Sequence, residues 1–180
     1  MPRLTSAELD DHLAGQGRLV RVGTIGPDGM PLVVPTWFIV EDGRVLVTPR
    51  ERSSWFANLQ RSPLVCFAVD GDGAQAIIRG RCEMVHGLGE DDAWRDVYRR
   101  ITLRYLPESS ADAYLRDTWD EPRALVGLEL SKAKITTWRF PNRPGEDPLD
   151  VWAPGYYHEG HPRAARRPQS PPGFPDPPRG

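Results

Sequence analysis

Two arginines and two serines stand together in Arg50-Glu51-Arg52-Ser53-Ser54, between an apolar run ending at Thr48 and a short helical pattern from Trp55 to Gln60. Guanidinium forks, hydroxyls and the N–H groups of a helix N-terminus are the donors that hold an oxyanion such as a phosphate. The same residues have a plainer use: Ser53 or Ser54 can cap the helix while the arginines stay in water. Residue types alone leave both open. A second pair, Arg79 and Arg81, alternates with Ile78 and Gly80 and so shares one strand face, where it can form ion pairs across a sheet or touch an anion.

Other chemistries find no pattern. There is no G-x-S-x-G, no H-E-x-x-H and no Walker loop. His158 and His161 form an H-x-x-H without a third ligand at metal spacing, so no metal is expected. Cys66 and Cys82 lie in apolar runs, without C-x-x-C, and read as small buried thiols. The formal net charge of −2 argues against a nucleic-acid or membrane-surface binder. The basic run Arg163–Arg167 has acidic Glu146, Asp147 and Asp150 nearby and reads as a solvated tail. No apolar run approaches the roughly 18 to 20 residues that span a bilayer. The stretch Met1–Gly17 has no signal-peptide core, so a cytoplasmic location is expected.

The elements that must position the arginine turn follow from period and punctuation. Thr5 with Glu8 forms a capping-box pattern for a helix over Leu4–Ala14. Strands are expected over Arg18–Ile25, Met30–Val40, Arg44–Thr48, Pro63–Asp70 and Ala74–His86, joined by turns at Gly26–Gly29, Glu41–Gly43 and Gly71–Gly73. Met30–Val40 is nearly all apolar and reads as buried on both faces, with Pro31 and Pro35 forcing an edge or a bulge. Gly80 marks a bulge or a barrel bend in a long fifth strand. Trp94, Val97, Tyr98, Ile101 and Tyr105 share one face of a helix, and Ser109 with Asp112 is expected to cap a second, which Pro122 ends. Its inward residues are expected to be Ala111, Tyr114, Leu115 and Thr118 or Trp119. Two more strands, Ala124–Leu130 and Lys134–Phe140, follow. Short strands with Gly-rich turns point to an antiparallel barrel. From Pro141 the composition turns to Pro, Gly and charge, so a tail over 141–180 is expected, disordered beyond about His161. Trp152, Tyr156 and Tyr157 are its candidate anchors.

Taken in order, "GPDG", "VVPTWFIVEDGRVLVT", "WFANLQRSPLV", "IIRGRCEMV" and "RRITLRYL…ADAYL…EPRALVGLELSKAKITTWRF" resemble the pyridoxamine 5'-phosphate oxidase-like split-barrel family, in its flavin and deazaflavin oxidoreductase branch. The resemblance covers about residues 7 to 140. It implies a mainly β protein with helices: a six-stranded antiparallel split β-barrel domain at 1–140 that works as a homodimer, with cofactor sites built by both chains. It implies FMN as cofactor, or alternatively the deazaflavin coenzyme F-420, and hydride transfer to a small organic substrate. The implied cofactor contacts are Pro35, Thr36 and Trp37 along the ring, with Thr48, Arg50, Arg52, Ser53, Ser54, Trp55, Asn58 and Arg79 toward the phosphate end. Relatives carry Lys or Arg where this chain has Trp55, three residues before Asn58, so Arg50 and Arg52 would have to take over, or the pocket prefers another tail or has lost the cofactor. Trp55 itself would stack on a ring or pack in the dimer. A non-catalytic cofactor carrier is the alternative from another class. A haem-binding barrel ranks lower, since only His12 and His86 precede the tail.

Overall fold

The computed structural model describes residues 2–146. The expected aromatic anchors, the H-x-x-H pair and the expected disorder beyond His161 lie outside the described residues. The described residues fall into two units, Leu4–Thr137 and a smaller one that takes in residues 2–3 and 138–146. In the smaller unit Arg139 forks onto Glu146 through Nη1 and Nη2 at 2.8 and 2.6 Å.

The larger unit opens with α1 (Ser6–Ala14), whose N-terminus is closed by the expected capping box of Thr5 and Glu8. Strands β1 (Val20–Ile25), β2 (Pro31–Thr36), β3 (Ile39–Glu41) and β4 (Arg44–Val47) follow, then α2 (Ser54–Arg61). Next come β5 (Leu64–Gly71), β6 (Ala74–Arg81), β7 (Glu83–His86), α3 (Asp91–Leu103), α4 (Glu108–Asp117), β8 (Leu125–Glu129) and β9 (Lys134–Arg139). The antiparallel strands form two sheets, ordered β2-β1-β5-β6-β9 and β3-β4-β8-β7. The β3–β4 and β5–β6 hairpins turn on Asp42-Gly43 and Asp72-Gly73, all at positive φ, which is the type I′ geometry that suits strand twist.

Two expected strands prove to be two strands each, and the breaks pass the chain from one sheet to the other. Met30–Val40 parts at Trp37 and Phe38, because the Phe38 backbone bonds to side chains just past the end of α3 instead of to a strand: its N–H donates to Tyr105 Oη at 3.1 Å and its carbonyl accepts from Arg104 at 3.0 Å. β2 is an edge strand as its prolines require, but Pro31, Val33 and Pro35 face outward, so it is not buried on both faces. Ala74–His86 parts at Cys82, not at Gly80. Gly80 serves close packing, since a Cβ there would lie 2.9 Å from Leu128 Cδ1. Helix α4 begins at Glu108 after Pro107, without the expected Ser109 cap. Trp119 beyond its end is half exposed.

The core follows from alternation along the strands. Val20 and Val22 of β1, Phe67 and Val69 of β5, and Val126 and Leu128 of β8 meet Leu13, Trp55, Phe56 and Leu59 from α1 and α2 in one cluster. The opposite face of β8 places Leu125 with Leu46 against Trp94 and Tyr98 of α3. So β8 is buried on both faces, which fixes α3 over the smaller sheet.

Helix α3 is also tied down by polar bonds. Tyr105 Oη donates to Arg18 O at 2.6 Å while accepting from Phe38 N–H. We predict that Tyr105→Phe loses about 1–3 kcal/mol in urea unfolding, because two backbone groups lose their partner; no loss would show that the hydroxyl does not anchor the helix. Arg100 grips Glu41 with a fork at 2.6 and 2.8 Å. That hydrogen bond, aided by the charge and opposed by burial, holds the Glu41 carboxyl below its ordinary value. The stabilisation is therefore present above the unfolded carboxylate value, about 4.3, and is lost as pH falls through the lower folded one. Glu41→Gln should be less stable than wild type at pH 7, with the gap closing toward pH 3 in parallel urea titrations.

Candidate functional site

The arginine turn runs from the end of β4 into α2, and its partner is the segment that enters β8. Glu51 N–H donates to Pro122 O at 2.9 Å and Ala124 N–H to Pro49 O at 3.1 Å. These bonds set Arg50 directly opposite Arg123 in an isolated antiparallel bridge. Two cations that are 73 positions apart in sequence (123 − 50) thereby share one place. One carboxylate gathers them: Glu121 accepts from Arg52 Nη2 at 3.3 Å and Arg123 Nη2 at 2.7 Å, and forms an ion pair with Arg50, whose Nε lies 3.0 Å away.

Arg123 is the unusual member. It is 4% exposed, donates from Nη1 to Thr48 O at 3.1 Å, and lies 4.4 Å over the Tyr98 ring. Cation–π contact with a buried ring offsets part of the cost of desolvating the guanidinium. Its Nε is buried without a hydrogen-bond partner among the described residues, a donor left for an acceptor that the protein does not itself provide.

Arg50 and Arg123 line a cavity of about 370 Å³ together with Thr48 and Ser53. This is within the range of small-molecule sites. Its remaining walls are mostly apolar or aromatic. Leu19, just before β1, and Val34, Pro35 and Thr36 of β2 contribute, and Trp37, Trp55, Tyr98 and Tyr114 supply rings. Trp37 is held by stacking on Tyr105, 5.0 Å between centroids and 6° from parallel, and by a tilted contact with Tyr114 at 5.2 Å. Tyr98 Oη donates to Tyr114 Oη at 3.1 Å. Burial, followed by this hydrogen bond, pushes the Tyr98 hydroxyl well above its ordinary value, so it stays protonated and remains a donor.

The sequence-predicted residues divide cleanly. Pro35, Thr36, Trp37, Thr48, Arg50, Ser53 and Trp55 meet at the cavity. Ser53 occupies the N-cap position of α2 without capping it through its side chain; its hydroxyl donates to Arg50 O at 2.7 Å and closes the turn. Trp55 is 6% exposed and belongs to this chain's own core while lining the cavity. Arg52 reaches Glu121 from the exposed side and lies outside the lining, as does exposed Ser54. Asn58 lies elsewhere: its buried amide donates to Thr24 Oγ1 at 3.1 Å and ties α2 to β1. Arg79 is on the exposed face of β6, beside another groove that it lines with Arg21, Arg81 and Lys134. Arg123, Glu121, Tyr98 and Tyr114 were missed. The one local signal was an Arg directly before the wholly apolar run Ala124–Leu128, a charge in a place where burial was to be expected.

The family model described as pyridoxamine 5'-phosphate oxidase matches residues 6–139. The chain belongs to this family. No curated protein matches it. Among solved structures it is similar to a conserved hypothetical protein from Mycobacterium tuberculosis, at 25% identity and a TM-score of 0.60 over 76% of this chain and 85% of that one. It also shares the fold of an F420 reductase (18% identity, TM-score 0.53, 76% and 98% covered). A FAD-binding protein from Mesorhizobium loti has the fold too (19%, TM-score 0.52, 76% and 93%). The two antiparallel sheets and four α-helices of the described residues are consistent with a split barrel.

Asn58→Ala should lower stability by about 1–2 kcal/mol, since it leaves the buried Thr24 hydroxyl unpaired, and should change binding at the cavity less than twofold. A larger binding loss in a calorimetric titration would put Asn58 in the site.

Proposed function

We propose that the cavity binds a phosphorylated flavin, FMN, or the deazaflavin coenzyme F-420, and that the protein is an oxidoreductase acting on a small organic substrate in the cytoplasm. The observation that carries this reading is the lining of the cavity: two guanidiniums and the hydroxyls of Thr48 and Ser53 beside four aromatic rings. The donor set fits such a group. A terminal phosphate wants charged forks and hydroxyls, a planar ring system wants flat apolar walls, and the unpartnered Arg123 Nε wants an acceptor. The basic residue absent at the Trp55 position is compensated from the entry of β8 by Arg123, not from the turn by Arg52.

When bound, the flavin or deazaflavin supplies the hydride chemistry, so the protein needs no nucleophile of its own. Arg50 and Arg123 would take the anionic arm, and Ser53 and Thr48 would add hydroxyls. Trp37, kept in place by Tyr105, would hold the ring wall, and the tight aromatic lining would keep water away. We further propose that two copies assemble. Ile25, Val33 and Leu64 are exposed large apolar residues on the groove side of the five-stranded sheet, which a second copy would cover. Light scattering of the purified chain tests this, and a monomer at micromolar concentration would refute it.

Titration with FMN, F-420 and riboflavin tests the cofactor reading. Arg50→Ala should weaken FMN or F-420 binding by about tenfold or more, the worth of one charged hydrogen bond, while Arg52→Ala should change it less than threefold. Unchanged affinity in Arg50→Ala would defeat the assignment of the anion end. Menadione reduction by the loaded protein then separates an enzyme from a carrier that binds without turnover.

A further inference from the structure

Three guanidiniums and one carboxylate make an unbalanced cluster. Arg50, Arg52 and Arg123 against Glu121 leave a charge of +2 (three less one). Without Glu121, Arg50 and Arg123 would face each other across their bridge with nothing between like charges. Glu121 accepts one N–H from Arg52 and one from Arg123 and is ion-paired with Arg50, so most guanidinium donors of the cluster are left for other acceptors. Its side chain is 18% exposed, so solvent screens its charge only partly. It lies outside the cavity lining, while Arg50 and Arg123, two of the three arginines paired with it, belong to that lining.

We propose that Glu121 is an internal counter-ion that sets how tightly the cavity grips an anion. Before a ligand arrives, it holds the arginines together. Once a phosphate is bound, its negative charge sits within reach of the ligand's own and weakens the grip. A cluster of +2 matches a phosphate dianion; a cluster of +3 would hold it more tightly and release it more slowly. The proposal rests on the reading that this cavity takes a phosphorylated ligand. It makes Glu121 a positioning residue with a measurable cost to affinity, which a purely structural carboxylate would not have.

The test is calorimetry on the full chain with pyrophosphate, FMN and riboflavin, alongside thermal unfolding without ligand. Glu121→Gln should lower the melting temperature of the free protein. The same variant should bind pyrophosphate and FMN more tightly, on the order of tenfold for one charge removed at partly screened distance, with riboflavin unchanged. Pyrophosphate affinity equal to or below that of wild type would overturn the proposal and leave Glu121 as scaffolding. If the Gln variant does not fold, Glu121→Asp keeps the charge but draws it back by one methylene. A smaller gain in pyrophosphate affinity then supports the proposal, and no gain refutes it. A wild-type protein that binds neither FMN nor F-420, beside a Gln variant that still gains pyrophosphate affinity, would defeat the cofactor reading and leave the counter-ion intact.

Discussion

The arrangement depends on one half-buried cation, Arg104, at the end of α3. Its guanidinium donates to the carbonyls of Phe38, Leu13 and Gly15 at 3.0, 2.9 and 3.0 Å and lies 4.7 Å over the Phe38 ring. Three carbonyls from two separate segments would otherwise need other donors, because a buried backbone acceptor without a partner is costly. Burial pulls the Arg104 value down, yet arginine starts so high that the group stays charged and each of these bonds keeps its charge assistance. Tyr105 completes the clamp from the next position. Between them the two residues occupy the Phe38 backbone, which ends the pairing of β2 and hands the chain to the other sheet.

That clamp determines the cavity. Trp37 lies next to the clamped residue, and the ring of Tyr105 is the surface on which it stacks. The rings of Trp37, Tyr98 and Tyr114 in the cavity are therefore positioned by α3, α4 and the clamp, and the cations by the β4–α2 turn and the entry of β8. These groups come from four separate stretches of chain, joined through the second hydrophobic cluster under β8 and the Arg123–Tyr98 contact. A pocket assembled this way has rigid walls, because each wall belongs to an element with its own packing, which suits recognition by preformed geometry.

Much of the architecture was legible before any coordinates. The capping box of α1, the Asp-Gly hairpins, the amphipathic stripe of α3 and the final two strands follow from local rules whose physics is complete within a few residues. The breaks at Phe38 and Cys82 were not legible. A run of apolar residues reads the same whether it stays in one sheet or crosses to another, and the partners that decide lie 66 and 67 positions away in the case of Phe38. The same limit applied to Gly80, whose reason is a leucine on β8 and not a kink in its own strand.

By itself the sequence determined the family, the order of elements and the chemical character of the turn Arg50–Ser54, because these rest on residue type and near spacing. It also placed most of the cavity residues, from Pro35 to Trp55. Only the tertiary structure decided which cations act together. It moved Arg52 to the outside, sent Asn58 into a helix-to-sheet tie and Arg79 to another face, and brought Arg123 against Arg50. The physical reason is that charge clusters form across chain crossings, by backbone pairing between segments far apart, and no local period records which crossing will occur.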